Sequence, residues 1–233
     1  EHPTLIPIFH FAKQTRTGQL LRRVFGANPE ARQNRRSNRD RGFFEDHRTA
    51  FDDPQREFVY RNFRVNLERI CRYGLKAGAG VIVSTIGANL RDCPPLGSLH
   101  RRDWASTQQE QWERLYREGA RLETAGDPRQ ALLRYHEAMA IDDCYAELHF
   151  RVARCQLAVG DLEAARRAFA LARDWDALQF RADGRINEII REVSANGTRL
   201  VEVDKTLAER EPCRDGIPGR EFFYEHVHLR FPG

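Results

Sequence analysis

The motif Glu225-His226-Val227-His228 combines residue types that carry out acid–base chemistry. An acid three residues before a histidine on a loop can orient the imidazole and fix its tautomer, and the histidine can then act as a general base for a hydroxyl nucleophile. Two other interpretations fit the same residues. The motif could be a polar surface turn, or it could bind a metal through His226 and His228, although no further cluster of His, Asp or Glu has ligand spacing.

A second polar segment, STIGANLRDCPP, directly follows a short run of apolar residues that is typical of a buried strand. Ligands of parallel α/β sheets bind beyond the carboxyl ends of the strands. There, Asn89 could supply an amide donor to an oxyanion, and Arg91 could bind a carboxylate or phosphate with its planar fork. The alternative is a structural loop fixed by Pro94-Pro95, in which Arg91 and Asp92 satisfy the local backbone.

Asp204 ends a second predicted strand and is open to two interpretations. A carboxylate at a strand end can be catalytic, or it can cap a helix that starts at Thr206. A nucleophile is harder to find, because the chain contains no Gly-x-Ser-x-Gly motif and no phosphate-binding loop. Cys93 is the only thiol in a segment where a site is expected. These residues therefore offer an acid–base pair without a convincing nucleophile.

The elements that must position these residues follow an α/β order. Residues 55–78 show a helical pattern of apolar side chains, and the β-branched run 80–86 and the segment 198–204 indicate strands. A polar loop follows the first strand at 87–103, and a helix at 183–195 precedes the second. A helix that leads into a buried strand, twice, is typical of a parallel sheet with helices on its faces.

Two parallel strands do not make a stable sheet alone, because parallel sheets are normally buried on both faces. We therefore expect that further strands precede Glu1, or that the chain is part of a larger domain.

An internal repeat lies between the two predicted strands. Residues 112–145 align with residues 146–179, and each copy has two amphipathic helices that are separated at a Gly-Asp pair. The matched positions are Gly126 and Gly160, Asp127 and Asp161, Ala131 and Ala165, Tyr135 and Phe169, and Ala138 and Ala172. Two copies are fewer than the roughly three that make a free-standing stack, so another element must cap them. The helix at 183–195 is one candidate, as a cap or as a support from the surrounding domain.

The composition favours a protein with a sizeable apolar core and a charged surface. Of the 233 residues, 41% are hydrophobic and 31% are charged, and the net charge is +4. No apolar run approaches the roughly 18–20 residues of a membrane-spanning helix, so we expect no transmembrane segment. The basic stretch 31–48 lacks interleaved aromatic residues and is expected to be a solvated loop without nucleic-acid binding. Five scattered cysteines suggest reduced thiols and no zinc site, and they do not indicate a compartment.

The small–small–aromatic pattern of the two copies resembles the tetratricopeptide repeat. The order of blocks extends the resemblance: VIVSTIGANLRDCPPLGSLHR comes first, then the repeats, then LVEVD, and finally GIPGREFFYEHVHLRFPG. Over residues 55–233 this order is similar to the C-terminal part of bacterial tetratricopeptide proteins that are built on an SGNH/GDSL-hydrolase-like domain. We thus predict an α/β fold, a partial flavodoxin-like three-layer α/β/α domain with a parallel sheet, that carries an inserted all-α pair of tetratricopeptide helical hairpins.

The resemblance also implies roles for individual residues. By position, His228 resembles the catalytic base and Glu225 the acid, with Glu in place of the family's Asp. The serine, glycine and asparagine blocks of the family are expected before Glu1. Asn89 and Arg91 lie in a loop that resembles a feature at the rim of the family's site, and they are candidate substrate-binding residues.

Three segments and two alternative functions follow from these considerations. We predict residues 1–105 as a partial SGNH-like segment, residues 106–179 as the repeat insertion, and residues 180–233 as the C-terminal segment with the Glu-x-x-His motif. The resemblance implies a serine esterase or O-acyltransferase that acts on an ester, such as an O-acylated glycan, without a cofactor or metal. The alternative is a non-catalytic scaffold whose repeats bind a protein partner.

Overall fold

The computed structural model of the protein describes residues 48–103, 105–195, 197–213 and 215–230. Residues 31–47 of the basic stretch lie outside this part of the chain. The elements in chain order are α1 (Pro54–Lys76), β1 (Ile82–Ser84), α2 (Ser106–Thr124), α3 (Pro128–Ile141), α4 (Ala146–Ala158), α5 (Leu162–Asp174), α6 (Gly184–Ser194), β2 (Arg199–Val201) and α7 (Val203–Glu209). Within the described ranges, no helix is both long enough and apolar enough to cross a membrane.

The repeats form two helical hairpins, α2–α3 and α4–α5, whose turns follow from the Gly-Asp pairs. Gly126 and Gly160 adopt positive φ angles of 82° and 87°, a conformation that side chains other than glycine rarely tolerate. The next residue in each turn caps the following helix: Asp127 accepts from the backbone N–H of Gln130 at 3.1 Å, and Asp161 accepts in the same way from Ala164 at 3.0 Å. The Gly-Asp pair thus ends one helix and starts the next.

Small residues let the paired helices approach closely. A Cβ atom on Gly119 of α2 would lie 2.5 Å from the ring of Tyr135 on α3, so this position accepts only glycine without displacement of the ring. Tyr135 is fully buried and donates a hydrogen bond of 2.8 Å to Glu123. The predicted tetratricopeptide hairpins are confirmed, and their apolar residues form one continuous core.

The two strands form a small parallel sheet in which Val83 pairs with Leu200. Val83 and Leu200 pack into a second core with side chains of α1 and α6. The opposite face of the sheet exposes Ile82 and Val201. The structure is therefore mainly helical. Of the predicted three-layer α/β fold, the described residues show a two-stranded parallel sheet and one layer of helices.

The helix α6 supports the sheet, and its described hydrogen bond to the repeats is one at its first residue, from the N–H of Gly184 to Asp174 of α5 at 2.9 Å. It packs against α1, β1 and β2, so the alternative prediction of a support is the one that holds. The core of the repeats is instead extended by two loop residues, the fully buried Ile217 and the partly buried Leu90. The backbone carbonyl of Asp215 strengthens this contact by accepting a bond of 3.0 Å from Arg166 of α5.

Asp204 does not end a strand and does not cap a helix at Thr206, so both expectations about its position are wrong. The strand ends at Val201, and Asp204 lies in the first turn of α7. Its carboxylate accepts hydrogen bonds from Thr85 at 2.7 Å and from Arg191 at 2.6 Å. These bonds hold the pKa of Asp204 below its ordinary value against the opposing effect of burial. Asp204 therefore joins the end of β1 to α6 and α7.

A buried ion pair joins the two ends of the repeat insertion. The side chains of Asp176 and Arg181 are only 3% and 2% exposed, and they contact each other at 3.2 Å. Asp176 also accepts from the backbone N–H groups of Leu96 and Gly97, both at 2.9 Å. The N–H of Ala177 returns a bond of 2.9 Å to the carbonyl of Gly97. The chain thus enters the repeat insertion and leaves it at the same place, beside the loop that follows β1.

We predict that Asp176→Ala lowers the free energy of unfolding by about 3–5 kcal/mol, because it leaves the buried Arg181 without its charge partner. Urea unfolding followed by circular dichroism measures this loss. Asp103→Ala is the matched control, since Asp103 is exposed. Equal stability of the two variants would show that the ion pair does not hold the ends of the insertion together.

Candidate functional site

The Glu-x-x-His motif lies on a tight loop between two short extended segments. Phe223 forms an antiparallel bridge with Leu229, and the N–H of Tyr224 donates to the carbonyl of His228 at 2.9 Å. Phe223 is almost fully buried, and its ring would lie 3.5 Å from a Cβ atom on Gly87. The loop is therefore attached to the segment that follows β1, at the carboxyl end of the sheet.

The structure brings the side chains of Glu225 and His228 into contact. The Nδ1 atom of His228 lies against Oε1 of Glu225 in a short contact. Because the carboxylate is the acceptor, Nδ1 carries the hydrogen and Nε2 presents its lone pair. The side chain of His228 is 74% exposed, so a molecule in solution can reach the imidazole. This is the arrangement that a general base needs.

Glu225 is held in its ionised form. The backbone N–H of Val227 donates to Oε2 of Glu225 at 2.9 Å. This bond and the contact with His228 lower the pKa of Glu225 from its ordinary value of 4.5 to about 2. An ionised carboxylate at this position accepts the hydrogen of Nδ1 and so holds the imidazole in one orientation.

His226 shares the same carboxylate. Its Nδ1 atom lies 3.0 Å from Oε2 of Glu225, and its ring meets the partly exposed ring of Phe180 edge-on, with 6.0 Å between the centroids. His226 is only 26% exposed, compared with 74% for His228. Of the two histidines, His228 is thus the more accessible to a reactant.

Asn89 supports the loop that carries Glu225 and His226. Its side chain is buried, its Nδ2 donates to the carbonyl of Glu225 at 2.9 Å, and its backbone N–H donates to the carbonyl of His226 at 3.0 Å. The Oδ1 atom accepts from the N–H of Asp92 at 2.9 Å. These contacts give Asn89 a positioning role beneath the acid–base pair. Its contact with a substrate stays a prediction.

Arg91 lies in a cluster of acidic side chains. It forms a short ion pair with Glu221, and it lies 3.5 Å from both Asp92 and Asp215. The side chain is 23% exposed, so part of the guanidinium faces solvent. Its role in substrate binding stays a prediction. The contacts that the structure shows join the loop after β1 to the segment around Glu221.

One group of described side chains could offer three metal ligands, namely Asp142, Asp143 and Cys144. The carboxylate of Asp142 is fully buried and already accepts from His100 at 2.7 Å and from the N–H of Cys144 at 3.0 Å. Burial and the adjacent Asp142 raise the pKa of Cys144 to about 11, so the thiol stays protonated. These residues already satisfy one another, and we assign no metal to them.

Cys93 is a poor nucleophile as the structure presents it. Burial raises the pKa of its thiol, and the thiol donates to the neighbouring carbonyl of Pro94 at 3.6 Å. Because the thiolate is the reactive form of cysteine, this environment lowers reactivity.

Arg181, which connects the site to the repeats, has no recognisable signal in the sequence. Its guanidinium donates to the carbonyls of Asn89 and Cys93 at 2.9 and 2.8 Å. The residue is one of many arginines in the chain, and its burial depends on partners that are distant in sequence. Only the folded arrangement shows that Arg181 holds the loop that carries Asn89.

Comparisons with known proteins support the repeat assignment. Residues 122–183 match the tetratricopeptide repeat. This range covers the end of α2, all of α3, α4 and α5, and the segment with Asp176 and Arg181. A comparison of the chain with curated proteins and with solved structures gives no match.

We predict that a carbon-detected NMR titration of the Glu225 carboxyl group gives a midpoint at about pH 2, well below 4.5. The stabilisation that ionised Glu225 provides is then complete above about pH 4.5 and is lost as the pH falls towards about 2. His228→Ala should raise the midpoint, because one donor to the carboxylate is lost, but the N–H of Val227 should keep it below 4.5. His226→Ala is the control, with a smaller rise. A midpoint at or above 4.5 in the unaltered protein would contradict the observed contacts.

Proposed function

We propose that the tetratricopeptide hairpins of this chain bind a protein partner. The observation that carries this proposal is the pair of hairpins itself, which matches a repeat whose helical faces suit peptide recognition. The first helices of the two hairpins, α2 and α4, contact each other. Across this contact Arg151 donates to the hydroxyl of Tyr116 at 2.8 Å. Aromatic and arginine side chains of this kind are enriched at protein interfaces.

Selection from a random-peptide display library tests partner binding. We expect enriched peptides that bind the unaltered protein, and we expect Gly119→Gln to abolish this binding because the new side chain would displace the ring of Tyr135. Gly80→Gln is the matched control, since a Cβ atom on Gly80 would meet nothing within 4 Å. The proposal fails if no peptide is enriched. It also fails if circular dichroism shows that Gly119→Gln disrupts the hairpins and this variant still binds the peptides as well as Gly80→Gln does.

A second function is favoured by one specific observation, the contact between Glu225 and His228. We propose that this pair serves acyl transfer from an ester, such as an O-acyl group of a glycan, as the resemblance to SGNH/GDSL-like proteins suggests. The nucleophile would be a serine of the kind that the resemblance places in an N-terminal block. The contact between acid and base and the exposure of His228 support this role.

The proposed chemistry assigns one task to each residue. Nε2 of His228 accepts the proton of the serine hydroxyl while the serine oxygen attacks the acyl carbon, and the proton then passes to the departing alcohol. Glu225 stays ionised and holds the hydrogen on Nδ1. Asn89 fixes the backbone of the loop through the carbonyls of Glu225 and His226.

Hydrolysis of p-nitrophenyl acetate by the full-length protein tests the second function. We expect His228→Ala to lower kcat/KM by about 10²–10⁴-fold, which is the usual contribution of a general base. His226→Ala is the matched control and should retain most of the activity, because His226 is less exposed and Glu225 still orients His228. Equal rates for the His228→Ala variant and the unaltered protein would remove His228 from the mechanism.

A further inference from the structure

A cleft of about 540 Å³ lies between the repeats and the loops of the sheet domain. One wall is formed by α4 with Glu147, Phe150, Arg154, Leu157 and Ala158. The other wall is formed by Arg91, Asp92, Pro94 and Arg220. We call this space the repeat–loop cleft. Because it draws residues from both parts of the molecule, neither the repeats nor the loops could form it alone.

The floor of the cleft is apolar and firmly supported. Phe150 is 5% exposed and packs edge-on against Phe169, with 5.4 Å between the ring centroids. Leu157 packs against the same core, while Ala158 is exposed at the end of α4. A floor that is part of the repeat core does not need to be ordered on binding, so an apolar side chain can enter it at a low entropic cost.

The most exposed charges of the cleft are positive. Its three arginines face two carboxylates, and two of the arginines are well exposed: Arg154 at 55% and Arg220 at 76%. Arg154 pairs with Glu123 at 3.2 Å, and Arg220 pairs with Asp92 at 3.4 Å. A guanidinium has five N–H donors, so each of these arginines keeps donors for a further carboxylate.

The two acidic side chains of the rim are less exposed than these arginines: Asp92 is 20% and Glu147 is 24% exposed. Asp92 accepts from the backbone N–H of Arg220 at 2.8 Å and lies near Arg91, so its charge is balanced within its own wall. Glu147 pairs with Arg151 at 3.2 Å, and burial raises the pKa of Glu147. The exposed charge that remains available to a ligand is that of Arg154 and Arg220.

We propose that the repeat–loop cleft binds an acidic peptide segment of a protein partner. One apolar side chain of the peptide enters the floor beside Phe150, and carboxylates on either side of it bind Arg154 and Arg220. Charge complementarity selects the acidic flanks, and the apolar floor between the two arginines selects a peptide over a small anion. The inference rests on the proposed binding of a protein partner by the repeats, and it adds the location and the chemistry of that partner.

The test measures binding of fluorescein-labelled pentapeptides to the full chain by fluorescence anisotropy. The probe is the sequence DELDE. In NQLNQ all four carboxylates become amides, and in DEADE the central apolar side chain is shortened. We expect DELDE to bind more tightly than both relatives, and we expect its affinity to fall as salt is added, because exposed charges are screened.

Three variants locate the binding site. Arg154→Glu and Arg220→Glu should each weaken binding of DELDE by about tenfold or more, because each reverses a charge that the peptide contacts. Ala158→Glu should weaken it similarly by placing a carboxylate in the floor. Arg117→Glu is the matched control: the residue is an exposed arginine of the same repeats, 73% exposed and paired with Glu113, and it lies outside the cleft. Circular dichroism checks that each variant is folded.

The outcomes separate this inference from the function on which it rests. In one outcome, display-selected peptides bind, and the cleft variants bind these peptides and DELDE as tightly as Arg117→Glu does. The repeats then still bind a partner, but the cleft is not the site. If neither the selected peptides nor DELDE binds, both proposals fail. The inference is also overturned if NQLNQ binds as tightly as DELDE. It is overturned as well if inorganic phosphate displaces DELDE equally from the cleft variants and from the unaltered protein.

Discussion

Asp176 and Arg181 form an ion pair that is almost excluded from water, and its hydrogen bonds reach the loop after β1, the start of the insertion and α1. Asp176 binds the backbone at the start of the insertion, while Arg181 binds the backbone of the loop after β1. The carbonyl of Asp176 also accepts from Arg56 of α1 at 3.0 Å. A buried charge pair is costly to desolvate and is stable only when such additional bonds satisfy it. Here the additional bonds are the ones that connect the repeats to the sheet.

The same pair supports the acid–base motif through one intermediate residue. Arg181 holds the carbonyl of Asn89, and Asn89 holds the backbone of Glu225 and His226. The motif therefore lies on a loop whose position depends on the attachment of the repeats. The repeat insertion and a candidate catalytic pair share one buried connection in this molecule.

The repeats could be predicted from sequence because their determinants are local and periodic. Gly119, the Gly-Asp turns and Tyr135 recur at fixed spacing, and each enforces a particular helix contact or turn. The extent of the strands was less predictable. The apolar run of the second strand continues to Val203, but the chain turns into α7 after Val201 because Asp204 binds Thr85 and Arg191.

The remaining features depend on contacts between residues that are far apart in sequence. The capping of the repeats by Ile217 and Leu90 has no local pattern, and α6 was an equally plausible candidate because it is the next amphipathic helix. The contact between Glu225 and His228 was predictable from their spacing. The support that Asn89 gives to these two residues was not predictable. An amide in a polar loop has the same sequence signature whether it faces a ligand or a neighbouring backbone.

The position of the repeats between the paired strands also affects the entropic cost of forming the sheet. β1 and β2 are neighbours in the sheet, yet both hairpins separate them in sequence. Closing so long a loop in an unfolded chain is entropically unfavourable, and contacts of this kind form slowly. Once the hairpins have folded, Leu96 and Gly97 are brought to Asp176, and the strands are held near each other before they pair. The contact between the two ends of the insertion therefore lowers the entropic cost of pairing β1 with β2.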